Sequence, residues 1–375
     1  MKTKMCEMFG IEAPIFAFSH CRDVVVEVSK AGGFGVLGMA RKNIDLVEED
    51  LNWIDRHIDG KPYGIDVLMS SSMHPTTKDQ RLDPQRSVPP EHLEFVRKLL
   101  DEAGIPRLPE QESQAIQREI LSSKTSTPED SRAMIELAMR HPIRLIVNAL
   151  GTPPRDVVEM AHSRGIKVAG LAGDVKHALH QKHAGCDFVV AVGTEAGGHT
   201  GSISSLVLWP RIVDAMGDTP VLGAGGVGRG RQLAAALALG CEGVWCGSIW
   251  LKTKESEVVP EIKEKLFAAR SQDAVLTKTV TGKQCRTLRN AFTEAYDRPG
   301  APPPLPAPLQ SILWWSEGRT RVERVRSQEK AKPFLTYPCG QVVGDMTEET
   351  SVREVVYQML SELADSKERL DGIFA

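Results

Sequence analysis

Long hydrophobic runs are what this sequence most conspicuously lacks: no stretch approaches the roughly 20 apolar residues of a membrane-crossing helix, so no membrane span is expected. Charge of one sign is lacking too. The 46 Lys and Arg residues nearly balance 49 Asp and Glu, and no basic run is interleaved with the sparse aromatics, so a nucleic-acid partner is not expected. Cysteine is scarce and scattered: Cys6, Cys21, Cys186, Cys241, Cys246, Cys285 and Cys339 are odd in number and form no CxxC pair. That pattern argues against a zinc site or a disulfide framework and for a reducing compartment, the cytoplasm. The opening MKTKMCEMFG continues into Ile11-Glu12-Ala13-Pro14 without an apolar core, so no secretory leader is expected.

What is there centres on Phe188 to Gly201, FVVAVGTEAGGHTG. Its first five residues are a continuous apolar run, the pattern of a strand buried on both faces. Gly193 ends the run, and a polar, glycine-rich loop follows in which the titratable His199 stands among residues of little bulk. A planar ligand could approach such a loop closely. A glycine turn carrying a solvated histidine is the alternative on this segment alone.

Short apolar runs alternate with helical-period stretches along the rest of the chain. Strands are expected at Pro14–Phe18, Phe34–Met39, Tyr63–Met69, Ile143–Leu150, Lys167–Gly173, Phe188–Gly193, Pro220–Gly223 and Gly243–Cys246. Between them lie helices such as the one from Asp23, with Asp23 as N-cap and Gly32-Gly33 as stop, and the alanine-rich Gly230–Leu239. Eight strands alternating with helices argue for parallel strands joined by right-handed crossovers, and eight closes a (β/α)8 TIM barrel. Ligands then bind at the carboxyl ends of the strands.

One long interruption follows strand three. Ser70 to His141 carries several prolines, many charges and helical stretches at Pro90–Ala103, Glu110–Ser122 and Pro128–Arg140. It is a candidate lid or interaction surface, or else a solvated insertion without catalytic consequence. Beyond Leu251 the chain reads as an appendage: a helix at Glu255–Ala269, a basic cluster of Lys283, Arg286 and Arg289, and a stiff proline linker around Pro302-Pro303-Pro304. Trp314-Trp315 and a closing helix Ser351–Ala364 complete it. The appendage is too small to fold alone and is expected to dock on the barrel.

Three strand-end loops should meet in space. Gly223 to Gly230, GAGGVGRG, offers successive backbone N–H groups at a helix start, and Cys246-Gly247-Ser248 lies beside it, where barrels commonly hold a phosphate. The glycine spacing could also be read as a Rossmann fingerprint, but it does not follow a first strand and lacks the acidic partner. Glycines that serve tight packing are the remaining alternative.

GTEAGGHTG after strand six, PVLGAGGVGRGRQLAAALALGCEGVWCGSIWL over strands seven and eight, and the later TGKQCRTLRN resemble the nitronate monooxygenase family, formerly called 2-nitropropane dioxygenases. That family also includes FMN-dependent enoyl-acyl-carrier-protein reductases. The resemblance implies FMN as cofactor and His199 as the active-site base over the flavin. It places Gly225 and Gly226 at one phosphate loop, Gly247 and Ser248 at a second, and Ala196, Gly197 and Gly198 beneath the ring. Ala17, Phe18, Ser19, Asp66 and Gly173 complete the cofactor-binding set, Asp66 standing where relatives often carry asparagine. No metal is implied.

On this basis the chain divides into 1–270, an FMN-binding barrel with its insertion at 70–141, and 271–375, a helical extension packed on it. The sequence departs from the family pattern at Phe18-Ser19-His20-Cys21, where His20 and Cys21 are either catalytic or, in the simpler reading, only shape the pocket. Cys246, Trp245 and Trp250 depart as well. The expected activity is oxidation of alkyl nitronates with dioxygen to a carbonyl and nitrite, small-molecule substrate and dioxygen being the partners. The alternatives are an NAD(P)H-dependent FMN enoyl reductase, a non-catalytic flavin- or partner-binding barrel whose insertion and Trp314-Trp315 tail are its contact surface, and a flavin-free barrel binding a phosphorylated metabolite. Oligomeric state is left open, a homo-oligomer included.

Overall fold

The eight apolar runs close into a barrel because each is buried on both sides. In the computed structural model, which describes residues 1–40, 42–69, 88–122 and 128–375, they form β1 Ile15–Ser19, β2 Phe34–Gly38, β3 Tyr63–Val67, β4 Leu145–Asn148, β5 Lys167–Ala172 and β6 Phe188–Val192. A two-residue strand, β7 Gly198–His199, intervenes before β8 Val221–Ala224 and β9 Val244–Cys246. The closed order is β1-β2-β3-β4-β5-β6-β8-β9, parallel throughout, and β9 returns to β1 through Ile15↔Val244, Phe16↔Trp245 and Ala17↔Cys246. All eight expected strands are present, and the fold is the (β/α)8 barrel.

Alternation along each strand sorts the side chains. Phe16, Phe34, Val36, Leu145, Val147, Ala169, Phe188, Val190, Leu222 and Trp245 fill one interior cluster, whereas Leu37, Ile65, Ile146 and Val168 pack outward against the helices. A short helix, Lys4–Phe9, closes the amino-terminal end. Its Phe9 ring lies 4.6 Å from Phe34, 5.6 Å from Phe16 and 6.0 Å from Phe188. Thr3 caps this helix, and Gly10 ends it in the left-handed conformation at φ 66°.

Several boundaries differ from expectation. The first crossover helix is Arg22–Lys30, with Cys21 at the N-cap and no side-chain cap bond. Asp23 sits in its first turn, where its charge still suits the helix dipole. The helix placed from Glu255 starts at Pro260. The insertion carries the expected helices at Pro90–Glu102, Glu110–Ser122 and Pro128–Ala138. Any lid role falls in part on 70–87 and 123–127, outside the described residues.

The appendage is packed more intimately than a linker and tail. The Pro303 carbonyl sits 3.0 Å from Nε2 of His92 on the insertion, and the Leu305 amide donates to Gln310 Oε1 at 2.9 Å, so the proline segment is a strap lying on the insertion. Trp314 is buried and meets Phe292 edge-on at 4.7 Å, while Arg319 lies 4.2 Å over Trp315. Trp314 is therefore core and not contact surface. Arg321, fully buried, donates to the carbonyls of Ile105 and Pro106 and to Asp101 across the same junction. The closing helix runs Val352–Phe374, buries Val355, Val356 and Met359, and packs onto Gly230–Ala238 and Arg22–Lys30. Two further strands, β10 Ala274–Thr277 and β11 Cys285–Leu288, pair with each other, and β11 pairs with β7. No helix among the described residues is long and apolar enough to cross a membrane.

Candidate active site

Every expected site residue lies at the carboxyl end of a barrel strand or in the loop that follows it, but not every side chain faces the mouth. On β1, Phe16 and Phe18 belong to the interior, so Ala17 between them packs outward and can offer the mouth only its backbone. The Phe18 ring stacks near Trp245 at 6.1 Å and meets His20 edge-on at 5.2 Å. Ser19 accepts the Cys21 amide at 3.1 Å and so shapes the turn into the helix. The Cys21 thiol points away, donating to the Glu255 carbonyl at 3.0 Å, and burial pushes its pKa up to about 11. A thiol so held is disfavoured as a nucleophile, because little of it is thiolate. His20 holds Nδ1 2.9 Å from the Gly38 carbonyl and walls the mouth beside Phe18.

Asp66 faces the interior. Tyr63, Ile65 and Val67 of the same strand pack outward, and Asp66 pairs with Gly38 on one side and Val147 on the other. The residue is 3% exposed, and its carboxyl has no hydrogen-bond partner among the described residues. Burial holds its pKa well above the ordinary carboxylate value and so favours the protonated form, which can both donate and accept.

The loop from β6 to β7 is clamped from outside. Ser205 donates through its amide and, at 2.8 Å, its hydroxyl to Glu195, whose carboxylate thereby caps the helix Ser205–Met216. The Glu195 carbonyl accepts from Gln341 at 2.9 Å, and an added Cβ on Gly197 would lie 2.6 to 2.7 Å from the backbone of Cys339 and Gly340. Only glycine fits there. Gly340 in turn donates to Ser248 Oγ at 2.7 Å, which ties the β9 loop to the same tail segment. Gly198, at φ 74°, then turns the chain so that His199 pairs with Cys285 of β11. The His199 ring is exposed, with Nε2 2.9 Å from the Thr281 hydroxyl. Gly173 lies against Gly201, closing the β5 side.

The glycine loop after β8 is partly spoken for by the protein itself. Amides of Gly228 and Arg229 donate to Gln232 Oε1, and that of Gly230 to Glu362 Oε2 at 2.8 Å, so the helix start expected to face a phosphate is capped by a carboxylate of the closing helix. What remains is narrower. Gly225 and Gly226 adopt φ 101° and 72°, and the amides of Gly226, Val227 and Gly247 find no acceptor among the described residues. Beside Gly247 the nearest side chain is Phe18, 3.8 Å from where a Cβ would stand. This small concave set of donors suits an anionic group at the edge of the mouth.

Sequence reasoning missed Glu195, Ser205, Thr281, Gly340 and Glu362 as framing residues. Two of them had a visible signal: Ser204-Ser205 precedes an apolar helix, and Thr281 opens the TGKQCRTLRN stretch. The contacts of Gly340 and Glu362 span 92 and 132 residues and have no local signature.

Comparison with known proteins adds an independent line. The sequence model of the family described as nitronate monooxygenase matches residues 2–362. The chain is 46% identical over 378 residues to "Putative monooxygenase Rv1533" of Mycobacterium tuberculosis, covering 100% of this chain and 99% of that one. Among solved structures it resembles nitroalkane oxidase from Streptomyces ansochromogenes, with TM-score 0.76, 22% identity and coverage of 98% and 99%. It also resembles FabK from Thermotoga maritima, with TM-score 0.70, 21% identity and coverage of 100% of this chain and 99% of that one.

Proposed function

The chain belongs to the nitronate monooxygenase family of oxidoreductases, and from that premise we propose that it is an FMN-dependent enzyme oxidising alkyl nitronates with dioxygen to a carbonyl and nitrite. The observation that carries this reading is the convergence, at one barrel mouth, of the His199 loop with amides at Gly226, Val227 and Gly247 that have no acceptor among the described residues. The amides, aided by Ser248, would hold the cofactor's phosphate. Phe18, Ala196, Gly197, Gly198 and Gly173 would border its ring system, the glycines admitting a planar group closely. Asp66, whose burial favours its protonated form, would stand in for the asparagine amide often found at this position in relatives.

When bound, FMN supplies the redox chemistry. With a neutral nitroalkane His199 removes the proton on the carbon bearing the nitro group, and with a nitronate, which has already lost that proton, it holds the anion, from the edge of the mouth, where β7 and β11 fix its backbone. Phe18 and Trp245 keep the interior side apolar, which excludes water from the carbon being oxidised.

The test is the flavin absorbance of purified protein under anaerobic conditions, with propyl nitronate, NADPH or NADH added separately. Bleaching by nitronate alone, followed by oxygen-dependent nitrite release, is the expected result. Bleaching by a reduced nicotinamide overturns it in favour of the enoyl reductase, and a colourless protein unable to take up FMN overturns the cofactor.

A further inference from the structure

The basic cluster of Lys283, Arg286 and Arg289 has no part in the reading above, and its members are not alike. Lys283 and Arg289 are exposed, whereas Arg286 is only 6% exposed. A desolvated guanidinium is costly unless its N–H groups and its charge are answered. Here the answer comes from the main chain. Nε and Nη2 both donate to the Thr194 carbonyl, at 3.0 and 2.9 Å, and Nη1 donates to the Ala274 carbonyl at 2.6 Å. Glu195 is the carboxylate that acts on the charge electrostatically, but its oxygens are engaged by Ser205.

Thr194 is where the histidine loop departs from the end of β6, its amide donating to the Ile203 carbonyl at 2.8 Å. Arg286 grips the other side of the same residue. At the far end of the loop the main chain of Arg286 opposes Gly198 in the β7–β11 pair, next to Cys285 opposite His199. One residue therefore holds both ends of Thr194–His199, the start with its side chain and the end with its backbone. The bond to Ala274 ties the guanidinium to β10, so the Thr194 carbonyl cannot swing without breaking the fork. Two N–H groups of one rigid plane converge on a single oxygen, which neither a lysine ammonium nor a glutamine amide reproduces.

We propose that Arg286 is a positioning residue that fixes the Thr194–His199 segment and thereby sets where His199 stands at the barrel mouth. The effect runs through the main chain, whatever partners the imidazole itself has. Its catalytic consequence rests on the reading of His199 as the base, since a misplacement of about 1 Å can cost about 100-fold in rate.

The test compares FMN-loaded wild type with Arg286→Gln and Arg286→Lys, by amide hydrogen exchange resolved along the chain and by steady-state turnover of a neutral nitroalkane. In Arg286→Gln, exchange across Thr194–His199 should quicken about ten-fold while β1 to β5 exchange as in wild type. Its kcat should fall about ten-fold or more with KM changed less than about two-fold. Arg286→Lys, which keeps the charge and loses the fork, should fall between the two, and it carries the same comparison if Arg286→Gln does not fold. Unchanged exchange in the segment overturns the role. So does faster exchange spread over the whole barrel with loss of FMN in both variants, which would assign Arg286 to general stability. A loosened segment with wild-type turnover overturns the link to catalysis. Full turnover by His199→Ala overturns the base instead, and the exchange result still decides whether Arg286 holds the segment.

Discussion

At the scale of single residues, the site depends on protons held in unusual places. His199→Ala should retain FMN yet lose roughly 100-fold or more in turnover, read as steady-state nitrite release alongside the flavin spectrum. Asp66 gives a pH signature with a definite sign. Its folded pKa lies above the ordinary value of 3.8, so the folded state binds the proton more tightly than the unfolded chain. The stability it contributes is therefore complete below that ordinary value and is lost as pH rises through the folded pKa. Asp66→Asn, which keeps the shape and cannot ionise, should lack that decline, so its melting temperature should gain on the wild type progressively as pH is raised from about 4. Parallel melting curves for the two proteins across the range would refute a buried, neutral Asp66. His199 and Asp66 were both visible in the sequence, one as an imidazole in a glycine loop and the other by resemblance. The neutrality of Asp66 was not, because it comes from the strands on either side.

At the scale of elements, local pattern located strands well and caps poorly. Continuous apolar runs bounded by glycine fix where a doubly buried strand lies. The cap of the helix at Gly230–Ala238 is shared between Gln232 of its own first turn and Glu362, and the latter leaves no trace in any local pattern because it approaches from the closing helix. That helix crosses so close that a Cβ on Gly230 would overlap the Met359 carbonyl oxygen and the Glu362 side chain. Gly230→Ala should consequently destabilise by about 1–3 kcal/mol through forced displacement of the closing helix. Denaturant unfolding checks this, and a variant as stable as wild type would mean that the two helices are not in register as described. The closing helix also outran its expected end at Ala364. After Leu363 the apolar stripe is broken by the polar run Asp365–Arg369 before Leu370, Ile373 and Phe374, which stay exposed, and an ion pair between Lys367 and Asp371 spans the gap.

At the scale of the whole molecule, the division at Arg270 is a proposal about construction more than about independence. Residues 271–375 supply Thr281 to the histidine, Gly340 to the Ser248 loop and Glu362 to the glycine-loop helix, and bury Val342, Val343, Val352 and Met359 in a core shared with the barrel. A chain ending at Arg270 should be insoluble or lack fixed tertiary packing and bind no FMN, whereas a soluble truncated barrel that takes up the cofactor would make the extension dispensable. Solubility, near-ultraviolet dichroism and flavin content decide between them. By itself the sequence determined the barrel, since eight doubly buried strands alternating with amphipathic helices have few other ways to hide their apolar faces, and it marked the loops where glycines stand beside a histidine. Only the tertiary structure decided which amides stay unpaired, which carboxyl stays neutral and which hydroxyl reaches the imidazole. Each of those follows from the closeness of groups far apart in the chain, and local spacing carries no record of that.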